Sequence, residues 1–188
     1  TDGHLYKHMI FTDVKSPKFG VKIVASVMSI LFNLGIKASG RGFEIKEDNP
    51  DFTSFGILMS KPIFNRNVTH QFIKKQLTYF NDREENVYGK NMRFIILDQS
   101  FKEGIDLYDL KYVHLLDNFV YPADEKQAIG RGTRFCGQKG LNFVPNIGWT
   151  LNVYKYNLLL NSQGRDSSIK KGQSLHDNYL KAIGFDLR

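Results

Sequence analysis

Short, mostly apolar runs separated by stretches of helical periodicity constrain this chain more than any other feature. Tyr6–Phe11, Phe55–Met59, Met92–Leu97 and Tyr112–Leu116 are each bounded by polar loops. Runs of this kind, without clean alternation, read as strands buried on both faces, which calls for a parallel sheet covered by helices on either side. The intervening segments agree. Gly20–Leu34 carries Val24, Val27, Met28 and Leu31 at helical spacing, and Gly35 stops it. Thr69 is placed to cap a helix reaching about Phe80, with Phe72, Ile73, Gln76, Leu77 and Phe80 along its faces. A third helix is predicted over Ala123–Arg134, with Pro122 near its first turn. Trp149–Tyr156 alternates in the strand manner and is expected to close the sheet, with Trp149 in the core. Lys37–Phe52 reads as a loop with a short strand at Gly42–Ile45, Asn161–Gln173 as a mobile polar loop, and Leu175–Leu187 as a partial helix. The fold class is α/β, with one domain over 1–160, an extension over 161–188 and no internal repeat.

Composition removes several function classes. At 188 residues, with 41% hydrophobic and 13% aromatic content, the chain is long and apolar enough to bury a core, which argues against disorder. The lone Cys136 excludes an internal disulfide, cannot make a zinc site by itself, and fits a reducing compartment; its expected role is a small packing residue. The longest apolar stretch, Val21–Leu34, is interrupted by Lys22, Ser26, Ser29 and Asn33, so neither a membrane span nor a signal peptide is expected. His4, His8, His70, His114 and His176 lack metal-ligand spacing, and no metal site is predicted. The chain opens on Thr1 without a Met, which reads as an excised piece of a longer protein.

Charge is unevenly placed. Lys126–Lys171 holds eight basic residues against the single acid Asp166, while the remainder is balanced, so the whole net charge of +7 sits in this segment. Such a block favours polyanions, nucleic acid or nucleotide phosphates, over a merely solubilising surface. It opens on Gln127-Ala128-Ile129-Gly130-Arg131-Gly132-Thr133-Arg134. Gln127, Arg131 and Arg134 stand at i, i+4 and i+7, so a continuous helix would project all three from one face as a fork of donors suited to a polyphosphate. Gly130 and Gly132 each cost such a helix about 1 kcal/mol relative to Ala, which predicts close approach by another backbone or a ligand. Upstream, Gly104 permits a tight turn, and Asp106 is placed either to accept a hydrogen bond from a ribose hydroxyl or to hold an arginine.

Taken together, EGIDL (Glu103–Leu107) and QAIGRGTR (Gln127–Arg134) resemble motifs V and VI of superfamily 2 helicases, with HMIFTD (His8–Asp13) where motif IV is expected. Their order and spacing resemble the second, C-terminal RecA-like domain of those enzymes over roughly residues 4–160. The extension RFCGQKGLNFVPNIGW (Arg134–Trp149) further resembles helicase-like nucleoside triphosphatases of large cytoplasmic DNA viruses, of poxvirus and African swine fever virus type.

The resemblance implies a RecA-like three-layer sandwich with a mainly parallel central sheet, and residue roles to go with it. Arg131 and Arg134 would be arginine fingers reaching the γ-phosphate of ATP, while Gln127 and Gly130 line the nucleotide and Gly104 and Asp106 link it to the nucleic-acid track. No GxxxxGK[ST] loop and no acidic box occur, and Asp124-Glu125 at the start of the motif helix suits the helix dipole instead. Those elements, with the Mg2+ they hold, belong to an N-terminal RecA-like domain, so this chain holds half an active site and is expected to be inactive alone. Single-stranded or duplex nucleic acid is the expected partner, with no membrane; Thr12, Lys15, Ser60, Lys61, Ser100 and Lys102 sit at strand ends where the family grips phosphates. Asp98 departs from the family, standing where relatives carry Ser or Thr, and is expected to cap its loop. A viral member would work in the host cytoplasm or the virion. The alternative reading is a non-hydrolysing nucleic-acid or protein-docking module within a viral transcription factor. An unrelated Rossmann-type enzyme is disfavoured, because no Gly-rich fingerprint follows a strand.

Overall fold

The computed structural model describes residues 3–14, 19–32, 34–36, 54–63, 68–101, 104–117, 119, 121–134 and 136–156. The loop at 37–53 with its expected strand at Gly42–Ile45, the segments 161–173 and 175–187, and Lys15 and Lys102 lie outside the described residues.

Among the described residues six strands form one sheet: β1 (Lys7–Thr12), β2 (Gly35–Ile36), β3 (Ser54–Leu58), β4 (Met92–Asp98), β5 (Leu110–Leu115) and β6 (Asn152–Lys155), in the order β2-β3-β4-β1-β5-β6. Every pairing is parallel, with Met9 opposite both Ile95 and Val113 at the centre. A parallel sheet hides both faces, and three helices do the covering: α1 (Val21–Ile30), α2 (His70–Asn81) and α3 (Pro122–Gly130). One apolar cluster gathers Met9, Phe11, Ile95, Leu97, Val113 and Leu115 beneath Phe80 of α2 and Ala128 of α3. The other gathers Ile10, Phe55, Ile57 and Ile96 beneath Val21, Ala25 and Met28 of α1. Alternate residues of a strand thus feed opposite cores.

Local sequence explains most element ends. The hydroxyl of Thr69 accepts from the Phe72 amide at 3.2 Å, the expected cap of α2. The stripe that α1 buries is turned from the expected one: Val21, Ala25 and Met28 point inward, while Leu31 is 73% exposed and Val27 lies outside the core. This helix is apolar nearly all round, so periodicity alone does not select its inner face. A larger correction concerns α3, which ends at Gly130 rather than at Arg134. Beyond it the Gly132 amide donates to Ile129 O at 2.9 Å and the Thr133 amide to Gly130 O at 3.3 Å, the tighter i→i+3 winding of a terminal turn. Two glycines two residues apart, Gly130 and Gly132, remove the propensity needed to carry the helix further.

Trp149 is also not a core residue. It is 38% exposed, meets Phe143 edge to face at 5.0 Å and donates its indole N–H to Leu141 O at 2.9 Å. The strand after it, β6, lies at one edge of the sheet and pairs only with β5 among the described residues, and Val153, Tyr154 and Tyr156 are exposed.

Candidate functional site

Residues 104–109, just before β5, form an extended strap. Gly104 takes φ +79°, a left-handed turn that side chains rarely adopt. After it, Ile105 and Leu107 are buried in the core while Asp106 points outward. Asn81, the last residue of α2, clasps the strap from below: its amide nitrogen donates to Asp106 O at 2.9 Å and its oxygen accepts from the Tyr108 amide at 2.9 Å. The Asp106 backbone is therefore fixed on both sides.

The turn after α3 meets this strap with both of its arginines. Arg131 is 7% exposed and donates Nη1 to Ile105 O at 3.0 Å. Arg134 pairs through Nη1 with the Asp106 carboxylate, and both side chains are nearly half exposed, at 45% and 44%. Two segments more than twenty residues apart thus converge on one dipeptide, Ile105-Asp106. The three expected donors do not form one stripe, however. Gln127 is exposed on α3, Arg131 turns inward, and Arg134 lies beyond the helix end. The scarcity of acids within Lys126–Lys171 leaves Arg134 without a local partner, and Asp106 of the preceding motif supplies one.

The two glycines of this motif have different reasons to be there. A Cβ on Gly132 would sit 3.0 Å from Leu151 Cδ2, so the crowding comes from a side chain and not from the backbone or ligand that the sequence suggests. A Cβ on Gly130 would meet nothing within 4 Å, so no protein neighbour requires that glycine.

At the carboxyl ends of the strands, Ser60 after β3 and Ser100 after β4 share a hydroxyl–hydroxyl contact of 2.8 Å, exposed to solvent. Asp98 caps this loop as expected, accepting from the Ser100 amide at 2.8 Å. Thr12 is placed differently. It is buried, and its hydroxyl donates to Asp117 at 2.6 Å. Lys61 is exposed beside Ser60.

Two further arrangements support the site and escape sequence reasoning. Asp109, at the foot of β5, is fully buried and accepts from Arg83 Nε at 2.9 Å and from the Gly140 amide at 2.8 Å, with Lys7 Nζ at 4.0 Å. Arg83 also donates to the carbonyls of Cys136 and Gly137, so this cluster fastens the segment after the motif turn to the sheet. Burial brings Lys7 down to about 8 despite the attraction of Asp109. Across the sheet, His8 Nδ1 and His114 Nε2 are 2.9 Å apart, and His114 Nδ1 lies 2.9 Å from the Tyr156 hydroxyl. Burial, with Arg93 and His114 nearby, pushes His8 down to about 3, and burial also lowers His114.

Comparison with known proteins follows this geometry. The chain is 34% identical over 80 residues to an Acanthamoeba polyphaga mimivirus protein named putative ATP-dependent RNA helicase R350, covering 43% of this chain and 9% of that protein. A second mimivirus protein, putative ATP-dependent RNA helicase L377, is 29% identical over 112 residues, covering 60% of this chain and 9% of its own length. A Kluyveromyces lactis protein named as a killer plasmid pGKL-2 helicase is 28% identical over 99 residues, covering 53% of this chain and 16% of its own. The chain therefore spans a small part of each relative. Among solved structures, the C-terminal part of the Fun30 ATPase domain superposes with a TM-score of 0.51 over 80% of this chain and 34% of that one, at 16% identity. No protein-family model matches the chain. The fold is RecA-like α/β, and the sequence relatives carry helicase names.

Proposed function

We propose that this chain is the second motor half of an ATP-dependent superfamily 2 helicase or translocase, of the kind found in large DNA viruses. One observation carries the reading: the strap ending in Asp106 and the turn holding Arg131 and Arg134 meet, and Arg134 is accessible at that meeting. The mimivirus matches favour the viral branch, and poxvirus and African swine fever virus proteins are its expected kin.

The residues fit a nucleotide phosphate. The carboxylate on Arg134 presents the paired anionic oxygens that a phosphate would present, Gln127 is exposed, and the space beside Gly130 is open. Arg134 and Gln127 would hold the phosphates from this side, with Arg131 setting the turn that aims Arg134. Mg2+ would be held by the first motor half. ATP, when bound between the halves, would supply binding free energy to close their cleft and phosphoryl-transfer free energy to reopen it. Ser60 and Ser100, with Lys15 and Lys102, would grip the phosphates of one nucleic-acid strand without reading its sequence, whereas Thr12, buried against Asp117, is withdrawn from that role.

The test uses a protein carrying both motor halves. Arg134→Ala should lower kcat for nucleic-acid-stimulated ATP hydrolysis by about a thousandfold or more, with nucleic-acid affinity little changed. Wild-type protein without ATPase would instead identify a docking module. Robust turnover by the 188-residue chain alone would show that the site is not shared.

A further inference from the structure

We infer that Asp106 is a latch for Arg134: a fixed carboxylate that holds a movable guanidinium until phosphate takes its place. This rests on the motor reading above and adds a device to it. The two partners differ in freedom. Asp106 is held by its backbone, since Asn81 clasps its carbonyl at 2.9 Å and its neighbours Ile105 and Leu107 are sunk in the core. Its carboxylate cannot follow a departing partner. Arg134 stands on a turn past the end of α3, half exposed, on a long side chain with many rotamers.

The neighbouring arginine sharpens the assignment. Arg131 is committed through a buried bond to the Ile105 carbonyl, one residue before the latch. It ties the motif turn to the strap whichever partner Arg134 has, and so acts as a positioning residue. Arg134 alone can change partners. An exposed ion pair of this kind contributes little free energy, so an incoming triphosphate, carrying more charge than one carboxylate, can displace Asp106. The same carboxylate then stands beside the phosphates as a like charge, which favours return of Arg134 to Asp106 once they leave.

Inorganic tripolyphosphate binding to the 188-residue chain, measured by calorimetry, tests this. Asp106→Asn should bind about three- to tenfold more tightly than wild type, because it frees Arg134 and removes the like charge. Arg134→Ala should bind more weakly, and Asp106→Asn combined with Arg134→Ala should match Arg134→Ala alone. Glu84→Gln, which makes the same change of net charge at an exposed site, should leave affinity within about twofold. Binding by Asp106→Asn no tighter than by wild type, including no binding by either, overturns the latch. So does a gain that survives Arg134→Ala, or one that Glu84→Gln reproduces. These outcomes are separate from ATP turnover, which decides the motor reading.

Discussion

The molecule makes the same ion pair twice, in opposite surroundings. Asp109 and Arg83 meet at the foot of β5, where the carboxylate is fully buried and also accepts a backbone amide from Gly140. Asp106 and Arg134 meet on the outer side of the strap, each nearly half exposed. The two aspartates stand three positions apart, yet burial makes one pair architecture and leaves the other open to water. A buried carboxylate stripped of water needs every donor it has, and losing any of them strands a charge. An exposed pair has water waiting on both sides, so exchange of partners costs little. The burial of the carboxylate therefore distinguishes the enclosed Arg83 pair from the solvent-facing Arg134 pair.

The contrast breaks or sharpens most strongly at Asp109. Asp109→Ala should cost about 3–5 kcal/mol in urea denaturation, because Arg83 and the Gly140 amide lose their acceptor and Lys7, already lowered by burial, loses the carboxylate that favours its charged form. A loss under about 1 kcal/mol would erase the distinction between the two pairs. Next in size is Asn81→Ala, which leaves the Asp106 carbonyl and the Tyr108 amide without their clasp and should cost about 1–3 kcal/mol. Faster hydrogen exchange at the Tyr108 amide would locate the damage to the strap.

Acidification asks whether burial governs neutral groups as well. His8 falls from 6.5 to about 3 in the folded chain, so between those values the unfolded chain binds more protons and stability declines as pH is lowered. Discounted for partial exposure, the decline from pH 7 to pH 5 should be about 1 kcal/mol in denaturation midpoints, and His8→Phe should flatten it. A midpoint that rises on acidification would reverse the sign. Smallest of all, Asp106→Asn should change stability by about 0–1 kcal/mol, measured beside Asp109→Ala in the same urea series. Equal costs for the two would mean that exposure does not distinguish them.

Much of this arrangement is legible in the sequence. The β4 strand shows as Met92–Leu97 because a central strand of a parallel sheet is covered on both faces, and only the half-buried Arg93 near its start interrupts the apolar run. Thr69 is legible because its cap is a contact three residues long. The Asp106–Arg134 meeting is half legible: motif resemblance joins the segments, but the expected helical stripe did not form, since Gly130 and Gly132 end α3 and Arg131 turns into the core. Asp109 gives no signal, because its partners lie 26 and 31 residues away and no local pattern joins them. Trp149 misleads for a related reason. An aromatic in an alternating run reads as core, and only the sheet order reveals that the strand after it is at the edge.

The position of β1 has a consequence for how the chain folds. The first strand of the sequence is a middle strand of the sheet, with residues 8–12 registered against 94–98 and residues 7–11 against 110–115. Loop-closure entropy over that span must be met before either ladder forms, which makes such pairings slow. A ribosome that has released residues 7–12 must therefore deliver more than eighty further residues before that segment finds its neighbours. Until then Met9 and Phe11 have no core to enter, so this segment waits on strands that are made long after it.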